Sequence, residues 1–187
     1  WKDYKSTVDR VIKQLFHKPN YFKIDGASVF SRFGMHKFIR SVEKMEEVRK
    51  AIEYVREEVK KAGFPDLHVQ SIVGGGAPNE GLLKNIEALG LNSMTNYNWG
   101  GPHPEDYLKW GKEAMERLEK WDQALSIPFF PNASIGWDDS PRFPHKTKEH
   151  VVHYNNTPQS FATYLQRAKE YADAHPEQPK LITVFSW

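Results

Sequence analysis

The chain has no cysteine, no long apolar run and little excess of either charge. Without cysteine, neither disulfide bonds nor thiolate metal sites are available. No apolar segment approaches the roughly 20 residues of a membrane-spanning helix. The net charge is only +2 over 187 residues, and lysine and arginine are mixed with aspartate and glutamate along the predicted helices. We therefore expect no membrane span and no nucleic-acid partner.

The chain also lacks a complete nucleotide-binding motif. Gly74-Gly75-Gly76 follows a predicted strand, but a dinucleotide fingerprint requires a further glycine where Asn79 stands. The Gly-Lys-Ser/Thr of a P-loop is absent as well. The triplet is better explained as a flexible turn between a strand and a helix, and no cofactor is expected.

Three histidines, His145, His150 and His153, share one long predicted loop between residues 136 and 157. Three imidazoles could hold zinc, but their spacing matches no familiar metal motif. We therefore expect solvent-exposed loop histidines without a metal.

Aromatic residues, by contrast, are plentiful, with six tryptophans and eight tyrosines. Tyr107, Trp110 and Trp121 recur at helical spacing and are predicted to be core residues. Other aromatic residues stand where predicted strands end. Flat rings in such places suit the apolar faces of sugars, so a stacking surface is the functional alternative to a tryptophan-rich core.

Strands alternate with helices along the chain, which predicts an α/β fold with a parallel sheet. A leading helix is followed by five predicted strands at 28–33, 67–73, 93–99, 127–135 and 181–186, with helices at 43–62, 79–89, 105–125 and from 158 onward. Two architectures fit this order. One is a partial (β/α)8 barrel with about five of its eight strands, and the alternative is an open doubly wound sheet. The chain starts on a helix and stops on a strand, which favours the partial barrel. We therefore expect a single catalytic-type domain over residues 1–187 that is truncated at both ends.

The apolar segment that begins at Phe129 ends at Gly136 and is followed by Trp137, Asp138, Asp139 and Arg142. In α/β folds, ligands bind at the carboxyl ends of strands. The structural alternative is that one aspartate caps the turn and Arg142 pairs with it. Polar and aromatic residues also stand at the ends of other predicted strands, which favours a ligand-binding site. We expect the residues at these strand ends to line one concave surface.

Four segments together carry a resemblance to a known family. They are Tyr21–Gly26, Gly136–Arg142, Asn155–Phe161 and Ile182–Trp187. In this order they resemble the WbsX-type, glycoside hydrolase family 99-like proteins over essentially the whole chain. The resemblance implies a (β/α)8 barrel acting on glycans, either as a glycosyltransferase of polysaccharide biosynthesis or as an endo-mannosidase-like glycosidase.

The resemblance also places the catalytic residues outside this sequence. In the family, the strand matching Leu181–Trp187 runs into an Asn-Glu-Trp-x-Glu segment whose two carboxylates are the acid/base pair. The catalytic pair is therefore expected just beyond Trp187, and an N-terminal barrel segment is also expected to be missing. The substrate-binding residues that carry over are Tyr97, Trp99, Trp137, Asp138, Arg142 and Trp187.

Three functions remain open at this point. The first is a glycoside hydrolase acting on an oligosaccharide or polysaccharide, of α-mannoside type by the resemblance. The second is a glycosyltransferase, and the third is a non-catalytic glycan-binding module. Hydrolysis needs a proton donor for the leaving oxygen and a second group across the anomeric carbon, whereas a nucleotide-sugar transferase needs a diphosphate site. We favour the hydrolase, with a glycan as partner and a secreted, periplasmic or cell-surface location.

Overall fold

The computed structural model describes residues 1–34, 42–100, 105–145, 150 and 152–185. These residues form two compact units. The first comprises residues 1–71 and 81–93, and the second comprises residues 72–80 and 94–187.

The first unit begins with two consecutive helical segments, α1 (Lys2–Val11) and a π-helical turn (Ile12–Phe16). It continues with β1 (Lys23–Ile24), β2 (Ala27–Phe33), α2 (Val42–Lys61), the first part of β3 (Leu67–Val73) and most of α3 (Glu80–Leu89). The strand order is β1-β2-β3, and β1 is antiparallel to β2. Asp25 and Gly26 join them with φ angles of 51° and 79°, the left-handed pair that a two-residue hairpin requires. Asp-Gly is a dipeptide typical of such turns.

Helix α2 carries an apolar stripe that is buried in the first unit. Val55 and Val59 recur at helical spacing and are buried, as are Leu67 and Val69 of β3. Arg56 lies beside this stripe and donates to the Leu67 carbonyl (2.7 Å). The predicted helix at 43–62 is thus confirmed within one residue at each end.

The second unit contains the end of β3 and the remaining strands and helices. These are β4 (Ser93–Asn96, from its second residue), β5 (Glu105–Asp106), α4 (Tyr107–Ala124), β6 (Phe129–Phe130), β7 (Asn132–Ser134), β8 (His153–Tyr154), α5 (Pro158–Ala174) and β9 (Thr183–Phe185). The strand order runs from β3 to β4 and β6, and β4 is parallel to β6. Two further parallel pairs are β7 with β9 and β5 with β8.

Helix α5 begins as its sequence predicts. The hydroxyl oxygen of Thr157 accepts a hydrogen bond from the Ser160 N–H (3.1 Å), and Pro158 takes the first helical position, where a backbone N–H is not needed. The predicted core stripe of α4 is also confirmed, since Tyr107, Trp110 and Trp121 are all at most 1% exposed.

These elements confirm the α/β class, with a strand arrangement that is mixed rather than purely parallel because of the β1–β2 hairpin. The eight-stranded barrel remains a prediction. Within the described ranges, no helix combines the length and the apolar character that crossing a membrane requires.

Candidate functional site

Three aromatic rings meet in the second unit. The Trp137 ring is stacked on the Phe185 ring, with centroids 5.6 Å apart and planes inclined by 13°. Tyr97 meets the same phenylalanine edge-on, with centroids 4.9 Å apart. Phe185 is buried, Trp137 is half-buried and Tyr97 is 39% exposed. We call Tyr97, Trp137 and Phe185 the aromatic platform.

The platform lies where parallel strands end. Tyr97 directly follows β4, and its N–H donates to the Val73 carbonyl (2.7 Å) at the end of β3. Phe185 is the last residue of β9 and is in register with Ser134, the last residue of β7. Trp137 follows β7 by three residues. Because carboxyl ends of parallel strands meet at one edge, the chain directions bring the three rings together.

Gly136 allows the chain to turn from β7 toward Trp137. Its φ angle is +127°, a value that side-chain-bearing residues rarely adopt. A Cβ atom at this position would lie only 2.7 Å from Nδ2 of Asn156. That amide instead donates to the Ile135 carbonyl (3.1 Å), so the turn is fixed from the other side of the loop.

Polar side chains connect the strands that lead to the platform. The Thr95 and Thr183 hydroxyl oxygens are 2.9 Å apart, and Nδ2 of Asn132 donates to the Thr183 hydroxyl (3.0 Å). The Ser134 hydroxyl donates to Oδ1 of Asn132 (2.8 Å). Thr95, Asn132 and Ser134 are all buried. A saturated buried network of this kind rigidifies the strand ends that carry the aromatic rings.

The loop after Trp137 separates its two carboxylates. Asp138 is exposed and accepts a hydrogen bond from the Ser140 N–H (2.8 Å). Hydrogen bonds from the Ser140 side chain and backbone hold the pKa of the Asp138 carboxyl below its ordinary value. The expected turn cap is thus Asp138. Asp139 is only 5% exposed, and its Oδ1 lies 3.1 Å from Nδ1 of His150.

Arg142 follows one turn later on the exposed side of this loop. Its N–H donates to the Asp139 carbonyl (3.1 Å), and its guanidinium lies 5.4 Å from the Phe143 ring centroid. The guanidinium is a planar group with five N–H donors, so it can offer paired hydrogen bonds to ligand oxygens.

The structure corrects the position predicted for Trp99. This residue is 3% exposed and belongs to a core cluster with Tyr107, Trp110 and Tyr164. Its Nε1 donates to the Asn132 carbonyl (2.6 Å). Strand β4 ends at Asn96, so the alternation that would have placed Trp99 beside Tyr97 no longer holds. Trp99 is therefore a core residue that is hydrogen-bonded to β7, next to the platform but not at its surface. The sixth predicted residue, Trp187, lies outside the described residues.

The three loop histidines differ in their surroundings. His145 is exposed, as expected. His150 pairs with Asp139, and His153 is 3% exposed with its ring stacked on Trp110 at 3.7 Å. The expectation of a solvent-exposed residue is thus wrong for His153, because the return of the loop brings this ring into the core. Among the residues that the structure describes, no group of three or more His, Asp or Glu side chains could hold a metal ion.

Sequence reasoning missed two parts of this site. Phe185 lies in an apolar strand and has the composition of a core residue, yet it is the residue that joins Tyr97 to Trp137. The polar network was missed for a related reason. Asn132 and Ser134 are two positions apart in the sequence. A period of two in the polar residues was the available signal.

Comparison with known proteins identifies a family for the chain. A family model described as "Glycosyltransferase WbsX" matches residues 1–187. No curated protein and no solved structure matches the chain.

Proposed function

Because the chain belongs to the WbsX glycosyltransferase family, which makes it a carbohydrate-active protein, we propose that the aromatic platform binds a glycan and that the protein cleaves a glycosidic bond. The observation that carries this proposal is the contact of Trp137 and Tyr97 with Phe185. Phe185 fills the space beneath two partly exposed rings and holds them at the ends of parallel strands.

The rings suit a sugar because of their shape and polarity. The face of an aromatic ring carries partial negative charge, and the C–H groups on one side of a pyranose are weakly positive. Phe185 stacks on the Trp137 indole, and a sugar would pack against the exposed part of this half-buried ring. The Tyr97 hydroxyl would supply a donor and acceptor at the border of this surface.

The loop after Trp137 supplies the polar partners. Asp138 is exposed, and hydrogen bonds from Ser140 lower the pKa of its carboxyl, so the carboxylate would accept hydrogen bonds from sugar hydroxyls. Arg142 would donate to sugar oxygens or to an acidic substituent. With Tyr97 and Trp137, these residues form the proposed substrate-binding set, and Trp187 remains part of the proposal on sequence grounds. The proposed role is glycan binding, and no catalytic carboxylate is assigned to them.

Hydrolysis is favoured over transfer by the packing of the glycine triplet. Gly74 and Gly76 use their carbonyls to accept hydrogen bonds from Asn96 and Trp121, at 2.7 and 2.9 Å. The backbone of Gly75 lies so close to Trp99 that a Cβ would be 1.9 Å from the Trp99 carbonyl carbon. The triplet thus serves packing between two loops of the second unit, whereas a diphosphate needs such a loop open to the ligand.

A glycosyltransferase is the second candidate, because the description of the matching family names that activity. The two reactions differ in their donors. A transferase consumes a nucleotide sugar, and a hydrolase consumes water and a glycan. The α-mannoside type of substrate follows from the resemblance to endo-mannosidases and is the first to be tested.

The test gives the intact natural protein α-linked manno-oligosaccharides and other oligosaccharides in one series, and nucleotide sugars with acceptor glycans in another. Reducing ends released from an oligosaccharide would support hydrolysis. Sugar transfer from a nucleotide donor without hydrolysis of any glycan would refute it.

A pair of variants connects the reaction to the platform. Trp137→Ala should weaken glycan binding by about tenfold, the lower end of the roughly 1–3 kcal/mol that a ring stacked on an aromatic side chain contributes for nucleic-acid bases. Trp1→Ala removes an indole that is 61% exposed in the first unit and should leave binding unchanged. Equal affinities for the two variants would contradict the assignment of the platform.

A further inference from the structure

The loop that carries Trp137 is paired with its own return segment. The Trp137 carbonyl accepts a hydrogen bond from the His153 N–H (2.9 Å). Asp138 forms an isolated antiparallel bridge with Val152. The outgoing residues of the platform loop are therefore bonded to residues 14 to 16 positions later in the chain, at 152 and 153.

The return segment is itself fixed to the core of the second unit. The His153 ring is stacked on Trp110 with an interplanar angle of 27°, and Trp110 is fully buried. Nδ2 of Asn155 donates to Oδ2 of Asp106 (2.5 Å) at the start of α4. A segment with these anchors provides a rigid support for whatever is attached to it.

Asp139 and His150 also connect the outgoing and returning parts of the loop. The Asp139 carboxylate is buried, and burying a carboxylate is costly unless it has a charged or hydrogen-bonding partner. Nδ1 of His150 donates to Oδ1 of Asp139 (3.1 Å) and provides that partner. The Asp139 carbonyl accepts from the Arg142 and Phe143 N–H groups, at 3.1 Å each, so the same residue also fixes the following turn.

We propose that Asp139 and His150 are positioning residues that hold Trp137 and Asp138 at the aromatic platform. Their role in affinity depends on the glycan binding proposed above. Removing the Nδ1 donor takes from the buried Asp139 carboxylate a hydrogen bond that joins the two parts of the loop, and the outgoing residues can then move away from residues 152 and 153. That movement would break the bond between His153 and Trp137 and displace the indole from Phe185.

The first measurement is hydrogen exchange of individual backbone amides in the full chain, which needs no ligand. In His150→Ala and Asp139→Ala, the His153 amide should exchange about tenfold faster, the effect of losing one hydrogen bond to a charged group. His145→Ala is the matched control, because this histidine belongs to the same loop and is exposed. Amides in the middle of α4 report global unfolding and should keep their protection in all variants.

The second measurement is the affinity of the same proteins for an α-linked manno-oligosaccharide. His150→Ala and Asp139→Ala should lose about tenfold in affinity. His150→Gln should restore both affinity and exchange protection, because a glutamine amide can also donate to the carboxylate. A role limited to general stability would not be rescued in this way.

The outcomes separate the two proposals. Failure of the wild-type chain to bind any glycan would refute the proposed function, and the exchange data would still decide whether the pair holds the loop. Unchanged exchange at His153 in both alanine variants would overturn the positioning role. Faster exchange with unchanged glycan affinity would overturn it as well, since the platform would then not need the pair.

Discussion

Replacing Gly75 with alanine tests the interpretation of the glycine triplet. A Cβ at this position would lie 1.9 Å from the carbonyl carbon of Trp99, 2.0 Å from its oxygen and 2.2 Å from the Gly100 nitrogen. All three atoms belong to the backbone, so no side-chain rotation can make room. The two loops would have to separate, and with them the hydrogen bond from Trp99 N–H to the Ser134 hydroxyl (3.2 Å).

The expected magnitude follows from these distances. Overpacking usually costs about 1–3 kcal/mol, and we expect Gly75→Ala to lie near 3 kcal/mol because the obstacle is rigid. For a chain of this size, each kcal/mol lowers the thermal midpoint by roughly 2–4 °C, so the loss should be about 6–12 °C. Gly74 and Gly76 offer matched controls, since a Cβ would meet nothing within 4 Å at either position and neither has a left-handed φ. Alanine there should be neutral or stabilising by up to about 1 kcal/mol.

Thermal unfolding followed by circular dichroism, with urea unfolding as a second assay, compares the three variants. If Gly75→Ala is as stable as Gly76→Ala, the close approach of the loops is not a determinant of the fold. Gly74-Gly75-Gly76 could then again be a ligand-binding loop.

Two further predictions concern side chains away from the platform. Arg56→Ala should lower the free energy of unfolding of the first unit by about 2 kcal/mol, because the Arg56 guanidinium donates to Leu67, Asp66 and two further acceptors. The control is Arg49→Ala on the exposed face of the same helix, which should change the free energy of urea unfolding by no more than about 0.5 kcal/mol. Hydrogen bonding of His175 to the Tyr171 carbonyl, and then its pairing with an aspartate of α4, raise its pKa. This stabilisation is complete below the unfolded pKa of about 6.5 and is lost as the pH rises through the higher folded pKa. The wild type should therefore be more stable than His175→Gln at about pH 6, and this difference in the free energy of unfolding should disappear at about pH 9. An equal difference in stability at both pH values would contradict the role of the imidazolium.

Much of the fold could be predicted because local periodicity and tertiary packing agree. The apolar spacing of α2 indicates a helix, and Thr157-Pro158 indicates the start of α5. Both helices form in the folded chain where these local signals predict them. The two-residue strands β5 and β8 have no such local signal. Residues 105–106 and 153–154 pair only because the loop returns to the core, a contact between distant parts of the chain.

The site shows the same division. Tyr97 and Trp137 could be predicted from their positions at the ends of strands, since parallel strands place such residues at one edge. The burial of Trp99 could not, because it depends on where β4 ends. Asn98 accepts a hydrogen bond from the Gly100 N–H (3.1 Å) with its side chain, and Gly100 has a φ of +60°, so the chain turns before the alternation reaches Trp99. The Asp139–His150 pair could not be predicted for a similar reason, because the two residues meet only where the loop returns.

Binding of a glycan on Trp137 would change the indole N–H resonance of this tryptophan. The chain has six tryptophans, so ¹⁵N labelling gives a small set of indole N–H signals, with Trp137→Phe identifying the relevant one. On titration with an α-linked manno-oligosaccharide, the Trp137 signal should move saturably, while those of the buried Trp99 and Trp110 should remain in place. Saturable movement of other indole signals with Trp137 unchanged, or no movement of any signal, would contradict glycan binding at Trp137.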